Sequence, residues 1–230
     1  MRLFSPIDTG LLLRPISPCQ SIRKERNVVE LIDAIYQRRS IKHYDKNHVL
    51  TKDEEQKLLE ATIQAPSSFN IQHWRFVLLR DPDLRERIRE EYAGGQAQIV
   101  EASLLVLFTA DVKAWQKGTA KNWENVPREI AENMVRGMVP FHERRGERFQ
   151  RDEAQRSIGM AMQTLMLAAL DMGYQSCPII GYDQEGVAKL INLPADHVIG
   201  PMVAIGKGLK EPWIKPNRLP LADIVYENTF

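Results

Sequence analysis

The sequence predicts an α+β domain, a sheet flanked by helices, on three observations. Four short apolar runs, at 76–79, 104–108, 175–180 and 198–205, have the length and the aliphatic and β-branched content of strands. Between and around them lie longer segments whose apolar residues recur at helical spacing. No linker, internal repeat or low-complexity tract divides the 230 residues, a length that suits one domain able to bury a sizeable core.

The elements follow in order. Residues 1–27 mix Pro6, Gly10, Pro15 and Pro18 with scattered apolar residues and end in Arg23-Lys24-Glu25-Arg26, which reads as an extended arm packed on a surface. Val28, Leu31, Ile32 and Ile35 then set a helix over 28–38. Thr51 and Glu54 form a capping box opening a second helix, whose apolar stripe of Leu58, Leu59, Thr62 and Ile63 runs on until Pro66. Asp81-Pro82 closes the strand at 76–79, and a helix over 83–92 separates it from 104–108, a run continuous enough to be buried on both faces.

Residues 112–150 have a different character. Trp115 and Trp123 open the stretch, and Arg136, His142, Glu143, Arg144, Arg145, Glu147 and Arg148 make its second half mostly polar, as in a helical insertion that covers something. Trp115, Trp123, Phe141 and Phe149 either line a pocket or pin the insertion down. The longest helix follows over 153–172, with Ile158, Met162, Leu165, Met166 and Ala169 on one face and Gly173 as its stop. A short helix over 184–191 separates the last two strands. From Leu209 onward three prolines and no period predict a second arm.

Composition narrows the function. Lys plus Arg number 31 against 30 Asp plus Glu, and a net charge of +1 gives no reason to expect nucleic acid or an anionic membrane as partner. No apolar run approaches the roughly 18 residues of a membrane span, and Arg14 and Pro15 cut Leu11-Leu12-Leu13 short of a signal-peptide core, so a cytoplasmic location is expected. Cys19 and Cys177 are far apart and form no CxxC, which reads as two reduced thiols.

Two segments about thirty residues apart carry the chemistry. Arg38-Arg39-Ser40-Ile41-Lys42 packs three cations and a hydroxyl into five residues, which is anion-binding chemistry: the arginines can grip a phosphate or a ring carbonyl bidentately, Ser40 adds a neutral donor, and Lys42 is a point charge. Taken alone, such a run also complements a helix C-terminus. Ala65-Pro66-Ser67-Ser68-Phe69-Asn70-Ile71-Gln72-His73-Trp74 is turn chemistry carrying two amides, each offering a donor and an acceptor to the edge of a planar heterocycle. Together they suit a phosphorylated flavin.

In order and spacing these segments resemble the signatures of the FMN-dependent nitroreductase family. The resemblance continues through Pro178-Ile179-Ile180-Gly181-Tyr182, Gly206-Lys207-Gly208 and Lys215-Pro216-Asn217-Arg218-Leu219-Pro220, and so covers about residues 28 to 220. It implies a mixed, mainly antiparallel sheet flanked by helices, in an intertwined homodimer with two FMN sites at the interface. It also implies non-covalent FMN, NAD(P)H as electron donor, and ping-pong hydride transfer through flavin N5 to nitroaromatics, quinones or similar electron-poor substrates.

Residue by residue, the resemblance gives Arg38, Arg39, Ser40 and Lys42 to the phosphate and the N1/O2 region, and Asn70 and Gln72 to the ring. Pro66, Ser67 and Ser68 would reach a flavin held mainly by the partner subunit. Backbone of Pro178, Ile179, Ile180 and Gly181 would lie near N5, with Gly181 allowing close approach. Lys207 and Arg218 would add phosphate contacts. His73 stands where relatives usually have proline, with a backbone-like role expected, and Ile180 stands where many have an acid. No protein acid or base is obligatory, because the cofactor carries the chemistry.

The insertion at 112–150 is expected to form a lid that chooses the electron acceptor while leaving flavin retention to motifs outside it. Relatives with specialised reactions (reductive dehalogenation, flavin fragmentation, enal or aldehyde reduction) and a non-catalytic FMN-binding protein are the alternatives. Other chemistries lack their patterns. His43, Asp45 and His48 have no third ligand at metal spacing, no GxGxxG follows a strand, Gly206-Lys207-Gly208 is not a P-loop, and no Gly-x-Ser-x-Gly elbow is present.

Overall fold

A computed structural model of the chain describes residues 30–230. The predicted arm at 1–27, the first residues of the predicted 28–38 helix, and Cys19 lie outside the described residues.

Four strands form one sheet in the order β1-β2-β4-β3. They are β1 (Trp74–Leu78), β2 (Leu104–Asp111), β3 (Gln175–Ile179) and β4 (His197–Gly206), and all three ladders are antiparallel. The parallel component is a single bridge between Ser40 and Ser176 at the β3 edge. Central β2 is buried along its whole length, as the apolar run predicts. Its side chains alternate between two cores. Leu104, Val106, Phe108 and Ala110 join Leu58, Ile158 and Leu165 on one face, while Leu105 and Leu107 join Ile88, Ile99, Val187 and Met202 on the other.

Helices cover both faces. The first is packed by α2 (Lys52–Thr62) and α5 (Arg128–Asp171), the second by α3 (Pro82–Arg87), α4 (Gln98–Glu101) and α6 (Gln184–Leu190). Burying each large aliphatic or aromatic side chain is worth about 1.5–3 kcal/mol, so this double layer is where the stability lies. The Thr51 capping box is present in both directions, and Gly173, at φ 81, ends α5 in the left-handed conformation that favours glycine.

Two boundaries differ from expectation. The helix expected over 83–92 ends as α-helix at Arg87 and continues as a π turn, Ile88–Tyr92. The second half of the insertion and the long helix are one helical element, broken only at Gly146 (φ 75, ψ 179), so the long helix begins before the expected 153. No glycine-sensitive period marks that break in the sequence.

The helix α1 (Leu31–Gln37) buries only Ala34, leaving Leu31, Ile32, Ile35 and Tyr36 exposed. The segment from Leu209 onward has no strand and only one short helical turn, and it leaves Trp213, Ile214, Leu219, Leu221 and Phe230 in the open. Among the described residues no helix is long and apolar enough to cross a membrane.

Candidate cofactor site

The basic run is laid along the β3 edge. Where α1 stops, Ser40 bridges Ser176, and the Ile41 amide donates to the Ser176 carbonyl at 3.2 Å. Ile41 and Tyr44 are buried in the core, whereas Arg38, Arg39, Ser40 and Lys42 line a cleft. The opposite wall is the C-terminal segment, through Trp213, Ile214, Lys215, Pro216 and Arg218. The cleft measures about 220 Å³ and presents five cations, Arg38, Arg39, Lys42, Lys215 and Arg218, with no carboxylate in its lining.

Two details describe what it can hold. Arg38 Nη1 is buried and has no hydrogen-bond partner among the described residues. A desolvated guanidinium donor left unmet is costly, and a phosphate oxygen is the acceptor its fork geometry suits. Beneath it, Lys42 Nζ lies 3.6 Å from the Sγ of Cys177 on β3. Burial pushes the Cys177 thiol pKa up, against the opposing pull of Lys42, Ser40 and Arg38, so the thiol is neutral and the cleft keeps its positive charge. Lys207 does not line the cleft; its carbonyl accepts from the Asp45 amide at 2.8 Å in the pairing beside Tyr44 and Gly208.

The Pro-Ser-Ser turn lies at the opposite edge of the sheet, leading into β1. It is strained. Phe69, Asn70 and Gln72 have φ of 50, 49 and 56, and each such non-glycine residue costs on the order of 1–3 kcal/mol, least for asparagine. Ser67 Oγ accepts from the Gln72 amide at 2.9 Å, and the Asn70 amide donates to the Ser67 carbonyl at 3.1 Å.

The insertion supplies the remaining support. Asn70 Nδ2 donates to the Asn122 carbonyl and Asn122 Nδ2 donates to the Asn70 carbonyl, both at 3.0 Å, while Gln72 Nε2 donates to Asn70 Oδ1 at 3.3 Å. The Phe69 ring packs against Phe141 and His142, with centroids 5.2 and 5.8 Å away. Asn70, an exposed residue expected to meet a flavin ring, thus has one amide hydrogen and one lone pair engaged within the chain. For the same reason the insertion is not independent of the Pro-Ser-Ser turn. Trp115, buried and stacked on His142 at 5.4 Å, pins the insertion down.

His73 has more than a backbone role. It is fully buried, its Nδ1 lies 3.1 Å from Ser157 Oγ on α5, and it ties the turn to that helix. Burial, aided by nearby His142, lowers its pKa to about 4, so the ring is neutral at physiological pH. Neither Ser157 nor Asn122 carries a motif; both were invisible to spacing arguments because their partners are 84 and 52 residues away.

At the end of β3, Pro178 is half-buried, Ile179 buried and Ile180 64% exposed. The Gly181 carbonyl accepts from Gln96 Nε2 at 2.8 Å, and nothing lies within 4 Å of where a Cβ on Gly181 would be. Among the described residues nothing crowds this glycine, which leaves its face open to a ligand.

The structure thus brings Arg38, Arg39, Ser40, Lys42 and Arg218 together, and sets Gln72 in a separate cleft of about 370 Å³ with Arg75, Lys117, Lys121 and Asn122. In that second cleft Lys117 Nζ bonds Asp111 at 2.8 Å and Asp196 at 2.5 Å. Among the described residues Asp111, Asp196 and His197 form the one group with metal-ligand spacing, and the Lys117 ammonium already bridges its two carboxylates, with Arg75 Nη2 lying 3.7 Å from Asp111.

With this geometry in place, comparison with known proteins is informative. The Nitroreductase family model matches residues 35–207, a span that takes in the basic run, the strained turn and all four strands but stops short of Arg218. Protein DrgA of Synechocystis sp. is 56% identical over 202 residues, covering 86% of this chain and 95% of that protein. MhqN of Bacillus subtilis, named as a candidate NAD(P)H nitroreductase, is 32% identical over 186 residues, 78% of this chain and 89% of its own. Among solved structures, a candidate nitroreductase in complex with FMN from Exiguobacterium sibiricum superimposes with a TM-score of 0.80 at 26% identity, over 87% of this chain and 98% of that one.

Proposed function

The chain belongs to the nitroreductase family, and we propose that it is an FMN-dependent oxidoreductase that uses NAD(P)H to reduce an electron-poor acceptor such as a nitroaromatic or a quinone. One observation carries the cofactor reading: among the described residues, Arg38 Nη1 is buried and unpartnered in a cleft of five cations without a carboxylate. Such a cleft fits the dianionic phosphate or the anionic edge of a reduced flavin, and the FMN in the Exiguobacterium structure supports the choice.

Bound FMN would supply the redox chemistry, accepting hydride from the donor and passing it to the acceptor. The residues of the chain hold and polarise. Arg38, Arg39 and Arg218 bind phosphate or ring oxygens, Ser40 adds a neutral donor, and Lys42, anchored over Cys177, places positive charge where the reduced ring would carry its negative charge. Ile180 and Gly181 offer an open backbone stretch at the end of β3. Ser67, Ser68 and Gln72 lie at the far edge of the same sheet, so they complete the site from a second copy of the chain, in a homodimer built over the exposed faces of α1 and the C-terminal segment.

Heating the purified protein and chromatographing the released chromophore tests this reading. One FMN per chain is expected; FAD, or no flavin after reconstitution, would sink it. Steady-state NAD(P)H oxidation with menadione then separates an enzyme from a carrier.

A further inference from the structure

The strained turn has too little local support to explain its shape. Within the segment its bonds are those of Ser67 Oγ to the Gln72 amide, the two carbonyls of Ser67 and Ser68 to the Asn70 and Ile71 amides, and Gln72 Nε2 to Asn70 Oδ1. Short turns with such bonds ordinarily keep φ negative, and a phenylalanine and a glutamine at φ 50 and 56 need an outside constraint. Outside the segment, Arg75 Nη1 donates to the Gln72 carbonyl at 3.0 Å, Phe69 packs on Phe141 and His142, and Ile71 is buried with Trp115 and Met138, while the reciprocal pair between Asn70 and Asn122, at 3.0 Å in both directions, is the hydrogen-bonded hold on Asn70 itself.

Asn122 is itself well placed to hold. It sits in the helical turn Thr119–Trp123, where Thr119 is buried and its hydroxyl lies 3.5 Å from Met138 Sδ on α5. Trp115, stacked on His142, secures the same stretch of chain, and His142 also meets the Phe69 ring. An unbroken line of packed groups therefore runs from α5 through the insertion to Asn70.

We propose that Asn122 is a positioning residue for the flavin-facing turn: by donating its side-chain amide to the Asn70 backbone carbonyl, beside the bond from Asn70 Nδ2 to its own backbone carbonyl, it sets the direction in which Ser67, Ser68 and Gln72 present their polar groups, so the insertion governs cofactor retention as well as access. This rests on the reading that the turn faces FMN across the dimer. The pair acts through geometry. It contributes no charge and touches no reacting atom.

The test compares the full-length protein with Asn122→Ala and with Asn122→Asp, which keeps the shape but replaces the donor amide by a carboxylate. Arg128→Ala serves as control, because it breaks an exposed ion pair with Glu132 in the same insertion and touches nothing in the turn. Hydrogen exchange at the Asn70, Ile71 and Gln72 amides reads the clamp without any cofactor, and FMN dissociation constants with visible circular dichroism of the bound flavin read its consequence. Both Asn122 variants should exchange about tenfold faster at these amides and bind FMN about tenfold more weakly, with an altered flavin dichroism and an unchanged far-ultraviolet spectrum. Unchanged exchange overturns the clamp. Faster exchange with unaltered FMN affinity and dichroism overturns the link to the cofactor while leaving the FMN reading intact. A wild-type protein that holds no FMN overturns the functional reading and that link together, and exchange still decides the clamp.

Discussion

Lys42 Nζ lies 3.6 Å from the Sγ of Cys177, a contact that joins two positions 135 apart in sequence, between the basic run and the residue next to Ser176 of the β3 edge bridge. It fixes the cation of the run expected at the N1/O2 edge of a flavin, while Arg38 keeps a buried donor with no partner among the described residues. The two cations are therefore expected to have separable roles.

Arg38→Ala should weaken FMN binding by one to two powers of ten, because a charge-assisted contact to phosphate is worth about 1.5–3 kcal/mol. Arg218 is exposed and its Nη1 donates to the Pro216 carbonyl at 3.3 Å, so Arg218→Ala should cost less. Lys42→Ala should instead lower the flavin reduction potential. Equilibrium dialysis and a redox titration measure the two effects, and abolished binding by Lys42→Ala with no shift in potential would reverse the assignment.

Cys177 should be chemically quiet. It is fully buried and its thiol is pushed toward the neutral form despite the adjacent ammonium. In a Cys19→Ser background, a disulfide reagent should label Cys177 only after denaturant is added. Prompt labelling of the native protein would show that the β3 edge opens readily.

Acid should destabilise the fold through His73. Its pKa falls from 6.5 to about 4 in the folded chain, so between those values the unfolded state binds the proton and the native state does not. Stability is therefore fully present above the unfolded pKa and is lost as pH falls through this window, by roughly 2–3 kcal/mol from this residue between about pH 7.5 and pH 4.5. Urea unfolding at the two pH values measures the loss, and His73→Gln should shrink the difference. An undiminished difference in that variant would place the acid sensitivity elsewhere.

The exposed apolar face of α1 should be an interface between two copies. Analytical ultracentrifugation should give the mass of two chains, and Ile32→Asp, at a residue 63% exposed here, should shift the protein toward one chain and release FMN together with it. A single-chain species that keeps its flavin would show that one copy completes the site.

Much of this was legible in the sequence because it is written locally. Helical and strand periods, the Thr51 capping box and the Gly173 stop depend on neighbours within a few residues; the cap and the stop appear where the pattern puts them, and the four strands appear with shifted ends. The anion chemistry of Arg38, Arg39, Ser40 and Lys42 was readable for the same reason, since five adjacent residues carry it. Tertiary structure decided what joins distant segments. Arg218 came to the basic run because the C-terminal segment folds back across it. Asn70 met Asn122, and His73 found Ser157, through partners 52 and 84 residues away that leave no spacing to read. Strand order, which no periodicity specifies, put the Pro-Ser-Ser turn on one edge of the sheet and the cation cleft on the other. Hydrophobic patterning determines which face of an element is buried, but only packing of the whole chain determines which polar groups meet.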